Sequence, residues 1–373
     1  MKTLVLAPPM GSTGGVQRYT ATLVRSLKDI QGTKNVRIVT VSAEPQLHDD
    51  GELALSLDTK VRFFAASVMQ ALIWRPQLII CAHIGVAPAA RVIHRLLGVP
   101  YWVVLHGIEV WGDLPRRKEH SLRDAQRLIS VSRFTSETTS THHKLSGVNA
   151  VILPPAFTID EAQTSTASSF EAETDPPMVL TVGRLAASEQ YKGHDIMLDS
   201  WATVRKKIPN AVYCIVGDGD DRARLQARAR ELTVTDSVHF TGAVSASELE
   251  DYYRRCRVFA MPARTELDLQ TPRGEGFGIV FLEAMAHGKP VLGPRNGAPS
   301  EFIRSGEHGL LVDPTDPSAV ANALVELLAD KDQANRMGQA ARAWVIQEYS
   351  EEKFRQRLKK ILENEPGTTE RNH

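Results

Sequence analysis

The sequence has few of the features that define several protein classes. It has 3 cysteines in 373 residues and no Cys-x-x-Cys pair, which argues against a disulfide scaffold and a structural zinc site. No run approaches the ~20 consecutive apolar residues of a transmembrane helix. The opening apolar run stops at Pro8-Pro9, too early for a secretory signal. A cytoplasmic location is therefore the default expectation.

The chain also lacks an excess of charge of either sign. Lys plus Arg count 44 and Asp plus Glu count 44, whereas nucleic-acid-binding proteins usually carry a basic excess. This balance argues against a general polyanion binder, so no nucleic-acid partner is expected. With 42% hydrophobic and 24% charged residues, the chain is typical of a globular protein, and its length suits two domains.

Short β-rich runs alternate with longer amphipathic stretches in both halves of the chain. Residues 2–7 and 101–105 are predicted strands, and residues 16–30 carry apolar side chains at helical spacing. The alternation starts again with a strand at 178–182. Strands separated by helices imply crossover connections and parallel sheets. The predicted fold class is α/β, with two Rossmann-like, doubly wound domains facing a central cleft.

One segment interrupts this alternation. Residues 154–177 are rich in Pro, Ser, Thr and acidic residues, which is typical of an interdomain linker, although a long surface loop is the alternative. We therefore expect an N-terminal domain over 1–160, a linker over 161–177 and a C-terminal domain over 178–349. A last helix at about 350–364 is expected to return to the first domain.

Two glycine-containing turns lie where a predicted strand gives way to a helix. Gly14-Gly15 would present backbone amides at a helix N-terminus, although a plain strand–helix turn is an equal alternative. The stronger signal is the segment 274–286, GEGFGIVFLEAMA, in which a glycine-rich turn opens an apolar helix. Four backbone amides would converge there on an anion: those of Gly276, Phe277, Gly278 and Ile279.

Two acidic residues flank this turn. Glu275 and Glu283 would be about 12 Å apart if the eight residue steps from one to the other were helical, which is about the length of a nucleotide sugar. One carboxylate would then accept hydrogen bonds from a sugar and the other from a ribose. A solvated acid and an ordinary glutamate on a helix face form the alternative.

A pair of cations precedes another turn of this kind. Gly183-Arg184 follows a predicted strand, and Lys192-Gly193 precedes a helix. A guanidinium fork and an ammonium point charge together suit a diphosphate. Taken alone, the two cations would be read as ordinary surface residues.

In combination, these motifs resemble the retaining glycosyltransferases of family 4, which have the GT-B fold. The matching motifs extend in the right order over nearly the whole chain. They are Gly14-Gly15, His106-Gly107, Gly183-Arg184 with Lys192-Gly193, Val216-Gly217-Asp218-Gly219, and Glu275 and Glu283 around Gly-Phe-Gly. Residues 106–111, HGIEVW, and the longer loop before Glu275 are most similar to bacterial phosphatidylinositol mannosyltransferases. One departure is the loop between Arg184 and Lys192, which is longer than in many members.

The resemblance implies transfer of a hexose from a nucleoside diphosphate sugar to an acceptor hydroxyl, with retained configuration. The N-terminal domain would bind the acceptor and the C-terminal domain the donor.

The resemblance also assigns roles to individual residues. The catalytic residues would be Arg184 and Lys192 on the diphosphate, Glu275 on the donor sugar, and His106 near that sugar. A structural histidine is the alternative for His106. The donor-binding residues would be Gly14, Gly15, Gly183, Gly217, Asp218, Gly276, Phe277, Gly278, Ile279 and, on the ribose, Glu283. Glu109 and Trp111 would lie on the acceptor side or in a surface loop.

The leaving phosphate can itself take the acceptor proton, so neither a separate base nor a cofactor is expected. Asp218, Asp220 and Asp221 resemble the Asp-x-Asp metal site of GT-A transferases. Their position after a predicted strand instead suggests that they cap the next helix. Because Arg184 and Lys192 would already supply positive charge, no catalytic metal is expected.

Donor and acceptor are not fixed by the residues. The resemblance favours GDP-mannose, with a UDP-sugar as the alternative donor. The acceptor alcohol could be lipid-linked, an oligosaccharide or a small molecule.

A basic cluster in the first half could contact the inner face of an anionic membrane. It consists of Arg116-Arg117-Lys118, with Arg91, His94, Arg95 and Leu96-Leu97. A solvated helix face is the alternative for that cluster.

Two other functions remain as alternatives for the protein. It could be a sugar-nucleotide epimerase or a non-catalytic sugar-nucleotide-binding protein.

Overall fold

The computed structural model describes residues 1–10, 14–41, 60–157, 176–267 and 270–364. They divide into two compact units. The first contains the described residues up to Ala156 and those from Glu351 onward, and the second spans Phe157–Ser350. Most of the predicted linker, residues 161–175, lies outside the described residues.

A parallel sheet of six strands forms the centre of the first unit. Its strands are β1 (Thr3–Ala7), β2 (Val36–Thr40), β3 (Leu78–Cys81), β4 (Tyr101–Leu105), β5 (Arg127–Ser130) and β6 (Asn149–Ile152). Their spatial order is β2-β1-β3-β4-β5-β6, and every neighbouring pair is parallel. The carboxyl ends of the strands therefore lie along one edge of the sheet.

Helices connect these strands and cover both faces of the sheet. They are α1 (Gly15–Gln31), α2 (Lys60–Trp74), α3 (Ala87–Leu97), α4 (Ile108–Trp111), α5 (Arg116–Arg123) and α6 (Arg133–His142). β1, β3 and β4 are buried at every position, as expected where helices cover both faces. The edge strand β6 was not predicted, because three of its four residues are exposed and it lacks an apolar run.

The second unit repeats this architecture. Its strands are β7 (Met178–Val182), β8 (Val212–Val216), β9 (Val238–Gly242), β10 (Val258–Ala260), β11 (Val291–Pro294) and β12 (Gly309–Val312). Their order is β12-β11-β10-β7-β8-β9, again with parallel neighbours throughout. The helices are α7 (His194–Lys207), α8 (Arg222–Glu231), α9 (Ala246–Arg255), α10 (Ile279–Ala286), α11 (Pro317–Ala329) and α12 (Lys331–Tyr349). Two parallel sheets with helical crossovers confirm the predicted α/β class.

The final helix, α13 (Glu351–Glu363), belongs to the first unit. The ring of its Phe354 packs edge-on against Tyr19 of α1, with 5.5 Å between ring centroids. Arg355 also pairs with Asp29 of α1 at 3.0 Å. An apolar contact and an ion pair thus join the two ends of the chain. Among the described residues, no helix combines the length and apolar character needed to cross a membrane.

Candidate functional site

In the second unit, the predicted cations and the first predicted carboxylate come together. Arg184 lies two residues after the end of β7, and a 3₁₀ turn over Ala187–Lys192 leads from there into α7. Lys192 Nζ at the end of that turn lies 3.5 Å from Oε1 of Glu275, which stands in the glycine-rich segment before α10. Residues separated by more than 80 positions in sequence are therefore in direct ionic contact.

Lys192 is a largely buried and charged group in this arrangement. Its side chain is 15% exposed, and that of Glu275 is 16% exposed. Burial lowers the pKa of Lys192, but the carboxylates of Glu275 and Glu189 outweigh burial and leave the pKa raised. The ammonium group therefore stays protonated at neutral pH and provides a fixed positive charge.

Glu189 is a residue of this site that the sequence reasoning missed. One of its carboxylate oxygens accepts a hydrogen bond from the Arg184 guanidinium, and the other lies 3.2 Å from Lys192 Nζ. The residue is only 9% exposed, so it bridges both cations from a buried position. The available signal was the extra length of the loop between Arg184 and Lys192, which includes this acid.

Two carboxylate oxygens at the site have unused capacity to accept hydrogen bonds. Glu189 Oε2 and Glu275 Oε1 are buried, and neither has a hydrogen-bond partner of good geometry in the described part of the chain. Their contacts with the Lys192 ammonium are ion pairs and not aligned hydrogen bonds. Because a buried acceptor without a donor costs free energy, Glu275 Oε1 is suited to receive a ligand hydroxyl.

α10 begins directly after the glycine-rich turn. The helix begins at Ile279, and Gly278 is its N-cap residue with a φ of +93°. A Cβ at Gly278 would lie 2.9 Å from the ring of Phe281, so both conformation and space require glycine here. The assumption of a continuous helix from Glu275 to Glu283 is therefore wrong, because residues 275–278 form a non-helical turn.

The two side chains within this segment point to different environments. Phe277 is 7% exposed and its ring stacks on Phe302 with 4.7 Å between centroids, so only its backbone is available to a ligand. Glu283, also 7% exposed, lies on the second turn of α10. Its Oε2 accepts a hydrogen bond of 2.8 Å from the hydroxyl of Tyr253 on α9. No sequence pattern indicated this tyrosine as a site residue, because it lies 30 residues before its partner.

A glycine after β8 allows the ends of β7 and β8 to lie very close to each other. Gly217 follows β8 with a φ of +137°, and a Cβ there would lie 1.9 Å from the carbonyl oxygen of Gly183. Any larger residue would separate the two strand ends. This close contact places Arg184 and Asp218 on neighbouring strand ends of one sheet edge.

The acidic segment after β8 is held by arginines and backbone. Asp218 Oδ1 accepts from the Gly219 amide at 2.9 Å, and Asp220 accepts from the Ala187 amide at 2.8 Å. Asp221 pairs with Arg224 at 2.6 Å. Asp221 occupies the N-cap position of α8, where an acid of this segment was predicted, but its side chain makes no capping hydrogen bond. No cluster of three or more potential His, Cys, Asp or Glu metal ligands occurs within the described ranges.

In the first unit, His106 follows β4 at the carboxyl edge of the sheet. Its Nε2 lies 2.8 Å from the carbonyl oxygen of Ala82, so Nε2 carries the proton and donates. The ring packs edge-on against Tyr19, with 5.2 Å between centroids. Burial lowers the pKa of His106 to about 4, an effect that the hydrogen bond to Ala82 only partly opposes. The imidazole is therefore neutral at physiological pH.

The two predicted acceptor-side residues have different surroundings. Glu109 Oε1 accepts a hydrogen bond of 2.6 Å from the backbone amide of His106, which fixes the turn after β4. Trp111 is 2% exposed, and its ring packs against Phe134 with 5.3 Å between centroids. The interpretation of Trp111 as a residue lining an acceptor surface or a surface loop is therefore wrong, because its ring lies in the apolar core.

The first glycine pair lies at the start of α1. Gly15 is the first helical residue and Gly14 is the N-cap, in an extended conformation. Both are exposed, and no side chain caps this end of the helix. Their place at the carboxyl end of β1 agrees with the predicted strand–turn–helix arrangement.

Comparison with known proteins identifies the class. Residues 163–344 match the family model described as Glycosyl transferases group 1. A GDP-mannose-dependent alpha-(1-6)-phosphatidylinositol monomannoside mannosyltransferase of Mycolicibacterium smegmatis is 35% identical over 271 residues, which cover 69% of this chain and 68% of that protein. A GDP-mannose-dependent monoacylated alpha-(1-6)-phosphatidylinositol monomannoside mannosyltransferase of Corynebacterium glutamicum is 32% identical, covering 70% and 69%.

Solved structures show the same fold. Sucrose-phosphate synthase from Thermosynechococcus elongatus superposes with a TM-score of 0.78 at 20% identity, covering 97% of this chain and 98% of that one. Anabaena HepE, in complex with UDP and glucose, has a TM-score of 0.73 at 16% identity, covering 97% and 100%. The chain is therefore an enzyme of the glycosyltransferase class with the GT-B fold. It belongs to the Glycosyl transferases group 1 family, as its motifs predicted.

Proposed function

We propose that this protein is a retaining mannosyltransferase, which transfers mannose from GDP-mannose to a lipid-linked acceptor alcohol in glycolipid synthesis. The observation that carries the proposal is the Lys192 ammonium held between Glu189 and Glu275, with Arg184 alongside. Two relatives named as GDP-mannose-dependent phosphatidylinositol monomannoside mannosyltransferases support the choice of donor and acceptor.

The cations supply the diphosphate part of the proposed mechanism. Bond cleavage at the sugar leaves negative charge on the diphosphate, and a preorganised ammonium and guanidinium stabilise that charge where it develops. Lys192 is suited to this role because it is buried and protonated. Arg184, whose side chain is 77% exposed, retains the freedom to turn its guanidinium towards a phosphate.

The carboxylates supply the hydroxyl-binding part. Glu275 offers an unsatisfied oxygen beside the Lys192 ammonium, which suits a sugar hydroxyl next to the diphosphate. Glu283 is oriented by Tyr253 and is proposed to bind the ribose. No step requires these acids to transfer a proton, because the leaving phosphate takes the proton of the acceptor hydroxyl.

His106 is proposed to contact the donor sugar and not to act as a base. Its neutral ring donates from Nε2 to Ala82, which leaves Nδ1 as a hydrogen-bond acceptor. A group with a pKa near 4 is a weak proton acceptor at neutral pH. This chemistry supports a sugar contact and agrees with a mechanism in which the phosphate serves as the base.

A comparison of donors and acceptors tests the proposal. Purified protein is incubated with GDP-mannose or UDP-glucose, with and without vesicles containing phosphatidylinositol, in EDTA. We expect mannose transfer to lipid and slow hydrolysis without acceptor. An isomerised donor would indicate an epimerase, an unchanged donor a binding protein, and strict dependence on added Mn²⁺ would contradict the metal-free mechanism.

Replacement of the central cation links that activity to the site. Lys192→Ala should lower transfer by ~10²-fold, because a transition-state contact is lost. Lys207→Ala is the matched control, since Lys207 is an exposed residue in the last turn of α7, whose Nζ donates to Asn322 Oδ1 at 3.3 Å. Near-normal turnover of Lys192→Ala, with native melting behaviour, would remove Lys192 from the mechanism.

We also propose that the first unit contacts an anionic membrane. α2 exposes large apolar side chains, including Val61 at 78%, Leu72 at 53% and Ile73 at 73%. Arg116 and Arg117 at the start of α5 are exposed cations. Arg91 and Arg95, by contrast, share the carboxylate of Asp124, so their charge is partly neutralised.

Vesicle sedimentation tests this contact. Ile73→Ser with Leu72→Ser should reduce binding to phosphatidylinositol vesicles several-fold while soluble donor hydrolysis is retained. The control is Ile346→Ser on α12, an exposed apolar residue of the second unit. Unaltered vesicle binding by the α2 variant would contradict the proposed surface.

A further inference from the structure

Glu189 is a buried charge for which the proposed transfer reaction has no direct use. It contacts both cations assigned to the diphosphate, and Glu275 pairs with Lys192. We infer that Glu189 is an internal counter-anion of the diphosphate site: it holds Arg184 and Lys192 when no donor is bound and opposes the binding of a diphosphate. This inference rests on the proposed function of the site.

The backbone around Glu189 holds the carboxylate in place. Its amide donates to the carbonyl of Ala186 at 2.8 Å, and its φ and ψ of −116° and 24° interrupt the 3₁₀ turn. Arg264 anchors the far side of the turn through the carbonyls of Gln190 and Tyr191, at 2.9 and 2.6 Å. Glu189 is therefore part of a fixed loop and is not a mobile surface acid.

The charges of the described site residues balance without a ligand. Arg184 and Lys192 contribute two positive charges, and Glu189 and Glu275 contribute two negative charges. A diphosphate that reaches the same cations lies within several ångströms of the Glu189 carboxylate. At that separation and an effective dielectric constant of 20–40, one carboxylate weakens the binding of a phosphate charge by about tenfold or more.

This repulsion acts most strongly on the product. A sugar nucleotide carries its diphosphate as a diester, whereas the nucleoside diphosphate released after transfer gains a further ionisable oxygen. Glu189 therefore destabilises bound product more than bound donor. The expected consequence is faster exchange of product for a new donor. After product release, Glu189 pairs again with Arg184 and Lys192 and keeps both cations aligned.

Removal of the charge alone tests the inference. Glu189→Gln keeps the shape of the side chain and an oxygen that can accept from Arg184. Calorimetric titration with GDP, GMP and guanosine should show GDP bound about tenfold more tightly than by wild type, GMP by a smaller factor, and guanosine unchanged. GDP should also become a stronger competitive inhibitor against GDP-mannose. Equal or weaker GDP binding by Glu189→Gln would overturn the inference.

Two controls separate charge from structure. Glu189→Asp keeps the negative charge and should not tighten GDP binding. Glu231→Gln removes a carboxylate paired with Arg228 at the far end of α8, and should leave GDP binding unchanged. Tightening in either control would contradict a specific effect of Glu189. A wild-type protein that binds neither GDP nor UDP overturns the proposed function and this inference together, whereas wild-type binding without a Glu189 effect overturns only the inference.

Discussion

Individual side chains in the second unit are positioned by partners remote in sequence. Lys192 forms an ion pair with Glu275, which lies more than 80 positions later in the sequence, and Glu283 accepts a hydrogen bond from Tyr253, which lies 30 positions earlier. The residue types of the site were predictable because a diphosphate needs cations and sugar hydroxyls need acceptors. Tyr253 was not predictable as a site residue, because it lies 30 residues from its partner Glu283. Glu189 lies in the extra length of the loop, three residues before Lys192, but its contact with both cations required the structure.

Tyr253 offers a test of how a supporting side chain affects binding. Tyr253→Phe removes only the hydroxyl that donates to Glu283 Oε2. The buried carboxylate loses an orienting hydrogen bond, so we predict a KM for GDP-mannose raised about five- to tenfold, with kcat within about twofold.

The neighbouring residue provides the matched control for that variant. Tyr252→Phe removes a hydroxyl from a less buried ring on the same helix and should leave both parameters unchanged. A fall in kcat without any change in KM for Tyr253→Phe would contradict a positioning role of the Tyr253 hydroxyl in ribose binding.

His106 makes the stability of the first unit depend on pH. Burial lowers the pKa of His106 to about 4, whereas an unfolded histidine titrates near 6.5. Between these values the unfolded chain binds a proton that the folded protein does not, so stability is lost as the pH falls from 6.5 towards 4. We predict that the melting temperature falls less steeply between pH 7 and pH 5 in His106→Gln than in wild type.

An exposed histidine of the same unit provides the comparison. His120→Gln on α5 should keep the wild-type slope of melting temperature against pH. A His106→Gln slope equal to that of wild type would show that His106 is not the buried neutral group described here.

Among helices and strands, the pattern of burial decided what was predictable. β4 and β7 are buried along most of their length and were predicted with the observed bounds. β6 was missed because an exposed edge strand has no apolar run. α10 begins at Ile279, after its N-cap Gly278, as expected of a glycine-rich turn that opens an apolar helix, but the helical spacing assumed from Glu275 onward does not hold.

The turn before α10 should be intolerant of substitution. Gly278→Ala introduces a Cβ at a φ of +93° and 2.9 Å from the ring of Phe281. We predict a loss of about 2–3 kcal/mol in unfolding free energy, from backbone strain combined with the clash, and weaker binding of GDP.

Gly306→Ala separates these two contributions. Its φ is also positive, at +84°, but a Cβ there would meet no atom within 4 Å. It should therefore cost only about 1 kcal/mol, and leave GDP binding unchanged. Equal losses in the two variants would mean that the contact with Phe281 is unimportant.

For the whole molecule, chain order and domain order differ. α13 follows the second unit in sequence but packs on α1 of the first through Phe354 and Arg355. The overall balance of 44 basic and 44 acidic residues does not show which charges are paired. At the site, the two cations Arg184 and Lys192 are balanced by Glu189 and Glu275. The fold class followed from the alternation of strands and helices, but this local balance required the structure.

Transfer of radiolabelled mannose shows directly whether this protein mannosylates a lipid and whether Lys192 takes part. Purified protein is incubated with labelled GDP-mannose and phosphatidylinositol vesicles in EDTA, and the lipid extract is counted and its anomeric linkage determined. We predict label in the lipid as an α-linked mannose, reduced by ~10²-fold in Lys192→Ala. Unlabelled lipid, a β-linked product, or equal label from the Lys192→Ala protein would contradict it.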